Sequence, residues 1–369
     1  MPRRSTSPAA SAASTALLPG LLVALLLAIS ASACDDGSTK LEPAAPPPAG
    51  AASPSPNSAL QTPEDTPDPA GPSQAAQASQ ASQAAQEGPE AERGAPPPPD
   101  SATLARYPWL ADESTASARP EVANTLDTRF APPPGFVRDD VPGKSFGAFL
   151  RTLPLASEGT PVKSFAGETI LGPDHRNLAA VAAIDIGGRD LQQCADSIVR
   201  LHAEWLFSLG KRDHSYRSAS GVTLPFSRYL KGERIVLVGK QIEWQKKSSP
   251  RSPSHSALRS YLDGVFAWAN TGSLARQAKK IGRGELRPGD FFVIPGGPGH
   301  AVLILDVARA EDGRIALLLG QGFMPAQSFH VLRPDASGPW FVVAADDESG
   351  VDTPFWQIFP WSSLRRLDG

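Results

Sequence analysis

The segment 288–321, with the sequence PGDFFVIPGGPGHAVLILDVARAEDGRIALLLGQ, decides the fold of the chain. It contains three apolar runs in succession, and short glycine-containing segments separate them. Runs of this length with turn residues between them are typical of consecutive antiparallel strands. The predicted strands are 290–294, 300–308 and 315–321, with turns at 296–299 and 311–313.

Upstream of these strands the apolar residues recur at helical spacing. The segment 178–186 is an exception, because its unbroken apolar run predicts a buried strand that ends at Gly187-Gly188. A region of helices followed by a region of strands predicts an α+β domain, with helices packed on an antiparallel sheet. The predicted helices are 145–153, 191–209 and 255–280, the last broken at 270–272.

Polar residues complete the prediction for the helix 191–209. Asp190 and Gln193 have the spacing of an N-cap and a third helical residue, which predicts a capping box. Asp196, Arg200 and Glu204 recur every four residues, and we interpret them as a solvated face with ion pairs, with substrate binding as the alternative.

The N-terminal third of the 369-residue chain differs in composition from the remainder. No aromatic residue precedes Tyr107, and about 15 of the 38 prolines lie in 35–100. A segment rich in Pro, Ala, Ser and Gln buries too little apolar surface to offset chain entropy. We therefore expect a disordered tether at 34–104 and a single globular domain at 105–369.

The first 34 residues have the order of a secretory signal peptide. Arg3 and Arg4 precede the apolar run 16–29, and small residues lead to Cys34. This ending resembles the lipobox of bacterial lipoproteins, in which the signal is removed before the cysteine and the cysteine carries the lipid. The resemblance implies a signal peptide at 1–33, lipidation at Cys34 and a membrane-anchored protein of the cell envelope. The alternative is an ordinary signal peptide that is cleaved after Ala33.

Charge and motif content exclude several classes of function. The net charge is −3, and the part beyond residue 100 carries only about +3, so nucleic acid is not an expected partner. Neither His-Glu-x-x-His nor Cys-x-x-Cys occurs, so no metal is expected. The turn 296–299 lacks the Gly-Lys-Ser/Thr of a phosphate loop, and no cofactor is expected.

Cys194 is the sharpest chemical feature of the sequence. It falls in the first turn of a predicted helix, where unpaired N–H groups favour a thiolate. His300 opens a strand and is the candidate base, and Gln321 ends the next strand, where a hairpin would bring it beside the imidazole. Gln193 is a candidate to polarise a carbonyl oxygen. The alternative is an inert core cysteine, since Cys194 also lies on the apolar face of its helix.

Two resemblances bear on these residues. The strings PGDFF at 288–292 and GHAVLI at 299–304 resemble the strand–turn–strand of papain-like NlpC-type cell-wall peptidases. That resemblance implies a papain-like core with Cys194 as nucleophile, His300 as base and Gln321 as the orienting residue. Longer strings are similar to the bacterial family called domain of unknown function 4846, and this similarity implies one domain from about residue 108 to the C-terminus. They are SFGAFLRTLPL at 145–155, RDLQQCAD at 189–196, PGHAV at 298–302 and MPAQ at 324–327.

Two hypotheses of function follow. The first is a lipid-anchored envelope protein that hydrolyses or transfers acyl groups at amides through Cys194, with peptidoglycan peptides as substrate. The second is an envelope lipoprotein on the same fold that binds or scaffolds without catalysis. The aromatic segment 354–361 could stack on sugar rings, but we interpret it as core or as a docked terminal segment.

Overall fold

The computed structural model describes residues 98–369. The predicted signal peptide, Cys34 and nearly all of the predicted tether lie outside the described residues. The α-helices are α1 Ser101–Leu104, α2 Leu126–Arg129, α3 Phe146–Arg151, α4 Cys194–Ser208, α5 Phe226–Leu230, α6 His255–Phe266 and α7 Thr271–Gln277.

Most strands are short, and the two longest lie in the second half of the domain. They are β1 Asn124–Thr125, β2 Phe136–Arg138, β3 Pro154–Leu155, β4 Val162–Lys163, β5 Thr169–Leu171, β6 Leu178–Val181, β7 Ser215–Arg217, β8 Thr223–Pro225, β9 Glu233–Val238, β10 Gln241–Lys246, β11 Lys279–Lys280, β12 Phe291–Ile294, β13 His300–Ala310, β14 Ile315–Gln321, β15 His330–Leu332, β16 Trp340–Val343 and β17 Leu364–Arg366.

One nine-stranded antiparallel sheet organises the domain. Its strand order is β11-β17-β12-β13-β14-β15-β6, with β16 paired to β14 and β2 paired to β13. The central pair β13–β14 is the hairpin predicted from the repeated apolar runs. The α+β class, with helices packed on an antiparallel sheet, is therefore confirmed.

Strand β13 is covered on both faces, which explains its apolar run from Ala301 to Leu305. Because side chains alternate along a strand, Ala301 and Leu303 join one core cluster while Val302 and Ile304 join another. The first cluster includes the buried side of α4. The second cluster includes Phe359 and lies under the C-terminal segment.

Two predicted elements end earlier than expected. The predicted strand 178–186 stops at Val181, because the chain then changes partner: Ala182 N–H donates to Phe329, and Ala183 N–H donates to Pro154. The predicted helix 255–280 divides into α6 and α7, and the break lies at the expected asparagine. Within residues 98–369, no helix is long and apolar enough to cross a membrane.

Candidate functional site

Cys194 is the first residue of α4, three residues later than the predicted helix start. Gln193, not Asp190, is the N-cap, because short-range bonds hold residues 189–193 in turns. The backbone N–H of Gln193 donates to Asp196 at 3.2 Å, so the predicted Asp190–Gln193 capping box is replaced by a Gln193–Asp196 pair. The carboxylate of Asp190 instead accepts from Ala326 N–H at 2.7 Å.

The thiol of Cys194 is buried, with 4% of its surface exposed. Burial, with a contribution from the nearby Asp196 carboxylate, raises the pKa of Cys194 to about 11. The backbone N–H of Ala301 and those of the first helical residues favour the thiolate, but they do not outweigh burial. At neutral pH the residue is therefore a protonated thiol.

Cys194 lies in the wall of a cleft of about 360 Å³. The cleft is bounded by the start of α4, by the residues between α6 and α7, and by the glycine-rich turn before β13. Among the residues that the structure describes, Cys194 is the only one that places a sulfhydryl group in the cleft wall. Other residues of the wall include Asp190, Gln193, Asn270, Thr271 and Met324.

Gln193 also lines this cleft, but its amide already has a partner. Its Nε2 donates to the Asp190 carboxylate at 3.0 Å. Its backbone N–H is held by Asp196. The backbone N–H and one of the two side-chain N–H groups of Gln193 are therefore engaged within the fold, and the second side-chain N–H is the donor left for an oxyanion.

His300 and Gln321 are adjacent in the sheet, at the start of β13 and the end of β14. The imidazole Nε2 donates to the Gln321 amide oxygen at 2.7 Å, and the Gln321 amide donates to His330 Nε2 at 3.3 Å. His330 Nδ1 then donates to the carbonyl of Ser328 at 3.0 Å. These bonds assign one tautomer to each ring and leave Nδ1 of His300 as an acceptor.

We refer to His300, Gln321 and His330 as the histidine relay. Both of its histidines are fully buried. Burial lowers the pKa of His300 and of His330 to about 4. Nδ1 of His300 has no hydrogen-bond partner in the described part of the chain. The relay is therefore neutral at physiological pH and carries one unused acceptor.

The strand register separates His300 from Cys194. His300 pairs across the sheet with Ile294, which packs against the second core cluster. Ala301, on the opposite face, belongs with α4 to the first cluster. The imidazole contacts aromatic rings of the second face, at centroid distances of 5.0 Å to Trp356 and 5.9 Å to Phe359. No hydrogen bond joins Cys194 to His300 within the described residues.

The charged face of α4 is buried, so its interpretation as a solvated face was wrong. Arg200 has no exposed surface and binds the carboxylates of Asp185 at 2.8 Å and Glu204 at 2.7 Å. His255 extends this network to Asp112. Three further apolar residues of α4, Ala195, Val199 and Ala203, are also buried, and they were the signal in the sequence that this helix is covered on most sides.

The aromatic segment near the C-terminus is partly core. Phe359 is fully buried, whereas Phe355 and Ile358 are 39% and 47% exposed. Trp356 covers His300 from the second face. The segment therefore closes over the relay, in keeping with its interpretation as a docked terminal segment.

Metal and family comparisons complete the description of the site. In residues 98–369 no group of three or more His, Cys, Asp or Glu side chains is placed to hold a metal ion. Comparison with curated proteins and with solved structures gives no match. The family model described as Domain of unknown function (4846) matches residues 126–366. The chain therefore belongs to the family of domain of unknown function 4846.

Proposed function

We propose that the protein is a lipid-anchored component of the cell envelope whose folded domain binds a ligand without cleaving it. One observation carries this choice: within the described residues no hydrogen bond joins the thiol of Cys194 to the imidazole of His300, whose ring packs on Trp356 and Phe359. A thiol needs a base within hydrogen-bond reach to become a nucleophile. With the pKa of Cys194 at about 11 and that of His300 at about 4, both groups rest in their neutral forms.

The cleft beside Cys194 is the binding site that we propose. Its wall combines apolar surface with Asp190, Asn270 and Thr271, a composition that suits short polar peptides. The tether expected from the sequence is about 70 residues long, which gives the domain reach beyond the membrane surface. We therefore propose peptidoglycan peptides as the ligand, because the cleft is lined for short polar peptides and the tether is long enough to bring the domain to the cell wall.

The second candidate is a papain-like cysteine hydrolase or acyl transferase. It is favoured by the position of Cys194 at a helix start, in the wall of an open cleft and with the Ala301 N–H directed at the sulfur. The thiolate would attack an amide carbonyl carbon, and the C–N bond would break as a base returns the proton to the leaving amine. In this candidate the ring of His300 must come within hydrogen-bond reach of the sulfur.

Alkylation of Cys194 distinguishes the two candidates. The chain with Cys34→Ser retains one thiol, so iodoacetamide reports on Cys194 alone. We expect slow labelling at pH 7, a rate that still rises above pH 9, and full labelling once the chain is denatured. The rate should be the same in the variant that also carries His300→Gln.

A pH profile for alkylation with a midpoint well below 8 would contradict the binding function, because it would show an activated thiolate. A strong loss of reactivity in the His300→Gln variant would do the same. Both results together would establish the hydrolase candidate as the better one.

Attachment to the membrane is tested separately. We expect the chain with the native Cys34 to sediment with membranes, and the Cys34→Ser chain to be released to the soluble fraction. Labelling with a radioactive fatty acid should follow the same pattern. Fatty-acid labelling that persists in Cys34→Ser would show that the lipid is carried elsewhere.

A further inference from the structure

Strand β16 forms an edge of the main sheet. Residues 315–318 of β14 pair with β16, and residues 320–321 of the same strand pair with β15. Because β13 takes the other edge of β14, strands β15 and β16 follow each other along one edge. Strand β6 lies beyond β15, whereas no strand of residues 98–369 lies beyond β16. One strand position of the sheet is therefore open.

A cleft of about 830 Å³ lies at this open position. All four residues of β16 line it, and residues 175–177, which directly precede β6, form another part of its wall. Residues 349–355 complete most of the remaining wall. This β16 cleft shares no lining residue with the cleft beside Cys194, so it is a separate site.

The outer side of β16 carries main-chain groups that the described chain leaves without partners. Along an antiparallel strand, alternate residues direct their N–H and C=O groups away from the neighbouring strand. Within residues 98–369, β16 pairs with β14 alone, and its outward groups make no other backbone hydrogen bond. Thr353 of the wall is 4% exposed, and its hydroxyl also lacks a partner in the described chain. An extended backbone is the ligand that satisfies such a row of donors and acceptors.

The sequence of β16 does not protect this edge. Edge strands commonly carry a charged residue or a proline that prevents pairing with another chain, but Trp340–Val343 contains neither. Val342 is 49% exposed, and Phe355 and Ile358 in the cleft wall are exposed as well. A strand added beside β16 would therefore place apolar side chains against apolar surface.

The rim of the β16 cleft is acidic. The segment 333–352 contains five acidic residues and one basic residue, so its net charge is −4, while the part beyond residue 100 carries about +3. The acidic residues are Asp335, Asp346, Asp347, Glu348 and Asp352. Among the described residues, Arg176 is the one arginine or lysine in the cleft wall. A cationic ligand is attracted to this rim, whereas the chain's own segment 35–100, with a net charge of about −8, is repelled by it.

We propose that β16 binds an extended, cationic peptide segment of another protein, which adds a strand to the main sheet. Main-chain hydrogen bonds select an extended backbone, and the acidic rim selects lysine and arginine side chains. A glycan has no row of amide groups at the spacing of a strand. A second copy of this chain would bring the same acidic rim to the cleft, and like charges oppose that pairing. The proposal is independent of the function assigned to the cleft beside Cys194.

Backbone methylation of a probe peptide tests strand addition directly. The chain from residue 34 onward with Cys34→Ser is titrated into a fluorescein-labelled octapeptide of alternating lysine and valine, and anisotropy reports binding. We expect binding that weakens in high salt. Two further peptides carry backbone N-methyl groups on all lysines or on all valines. Because alternate N–H groups point to opposite edges of a strand, only one of these peptides should lose affinity, by about tenfold.

A substitution on the edge itself tests the location. Val342→Lys places a cation beside the peptide and should weaken its binding by about tenfold. The matched control is Val137→Lys, because Val137 is 76% exposed in β2, another short strand of the sheet, and does not line the cleft. The control should bind within about twofold of the parent. Glu348→Gln and Asp352→Asn should each weaken binding by about threefold.

Three results would overturn the proposal. The first is absence of binding by the unmethylated peptide. The second is an equal loss of affinity in both methylated peptides, which would show attraction by charge without strand pairing. The third is equal binding by the Val342→Lys and Val137→Lys chains when circular dichroism shows both folded. A dimer in sedimentation equilibrium that Val342→Lys dissociates, without peptide binding, would assign the edge to a second copy instead.

Discussion

Arg200 has no surface exposed to solvent, and oxygen atoms surround its guanidinium. It donates to Glu204 at 2.7 Å, to the Asp185 carboxylate at 2.8 Å and to the side chain of Gln192 at 3.0 Å. These bonds join helix α4 to the segment that follows β6. Removing the arginine takes the fully buried cation from two buried carboxylates and leaves Asp185 only with Arg259 and Glu204 only with His255, which is far more costly than the loss of an exposed ion pair.

We expect Arg200→Ala to lower the free energy of unfolding by about 3–5 kcal/mol. The matched control is Arg189→Ala, because Arg189 also pairs with a carboxylate, that of Asp263, but its side chain is 67% exposed. The control should cost less than about 1 kcal/mol. Urea unfolding followed by tryptophan fluorescence measures both variants, and equal costs would contradict the role assigned to the buried network.

The residues of the candidate site were predictable to different degrees. That Gln321 would lie beside His300 follows from two adjacent strands and a short connection. The face on which His300 lies does not follow, because a shift of one residue in register moves every side chain to the other face. The sequence of β13 is apolar at both parities, so its pattern could not indicate which face α4 would cover.

At the scale of elements, the start of α4 is fitted against the end of β14. A Cβ added to Gly322 would lie 2.3 Å from Oγ of Ser197 and 3.0 Å from the carbonyl oxygen of Gln193. Ser197 cannot simply turn away without cost, because its hydroxyl donates to the same carbonyl at 2.8 Å. The glycine therefore sets the distance between the helix that carries Cys194 and the central sheet.

We expect Gly322→Ala to cost about 1–3 kcal/mol of unfolding free energy, because the helix start must move. The same variant should speed alkylation of Cys194, since displacement of α4 exposes the sulfur. Adding Ser197→Ala should restore part of the stability but not all of it, because the Gln193 carbonyl remains in place.

Gly188→Ala is the control for the glycine effect, since no atom lies within 4 Å of a Cβ at that position. It should leave the stability unchanged or raise it slightly through the unfolded chain. If Gly322→Ala were as harmless as this control, the close approach of α4 to β14 would not limit the packing.

The elements themselves were predicted best where the apolar pattern is long. The three consecutive strands and the helices α4, α6 and α7 were expected from periodicity and turn residues alone. The start of α4 was missed because Asp190 bonds across the fold to Ala326, a contact of long range that local capping patterns do not include. Strands of two or three residues, such as β1 and β3, have no sequence pattern of their own and exist through pairing.

At the scale of the whole molecule, buried titratable groups set the dependence of stability on pH. Burial lowers the pKa of His214, His300 and His330 to about 4 and that of His202 to about 3. Burial raises the pKa of Asp196 to about 8. His255 is partly buried, which lowers its pKa, but the bond to Glu204 leads the opposing contributions and the net shift is upward.

The lowered pKa values of the four histidines and the raised pKa values of Asp196 and His255 change the free energy of unfolding in opposite directions as the pH rises. The unfolded chain binds protons on its histidines below pH 6.5, while the four buried histidines stay neutral until about pH 4. Their stabilisation is therefore complete above pH 6.5 and is lost as the pH falls toward 4. Asp196 and His255 hold their protons more tightly when folded, so their contributions are lost as the pH rises through the folded pKa.

We expect the free energy of unfolding to have a maximum near pH 6.5 and to fall on both sides of it. A histidine pKa lowered from 6.5 to about 4 corresponds to about 3 kcal/mol, so four histidines outweigh the opposite effect of Asp196 on the acid side. Between pH 6.5 and 8 the histidines contribute no slope, and the fall comes from Asp196 and His255. The variant Asp196→Asn keeps an oxygen that can accept from the Gln193 N–H, and it should flatten this alkaline fall and steepen the acid limb, where Asp196 otherwise opposes the histidines. Urea unfolding at intervals from pH 4 to 9 measures both limbs, and a profile that is level from pH 4 to 8 would show that these groups titrate equally in the folded and unfolded chain.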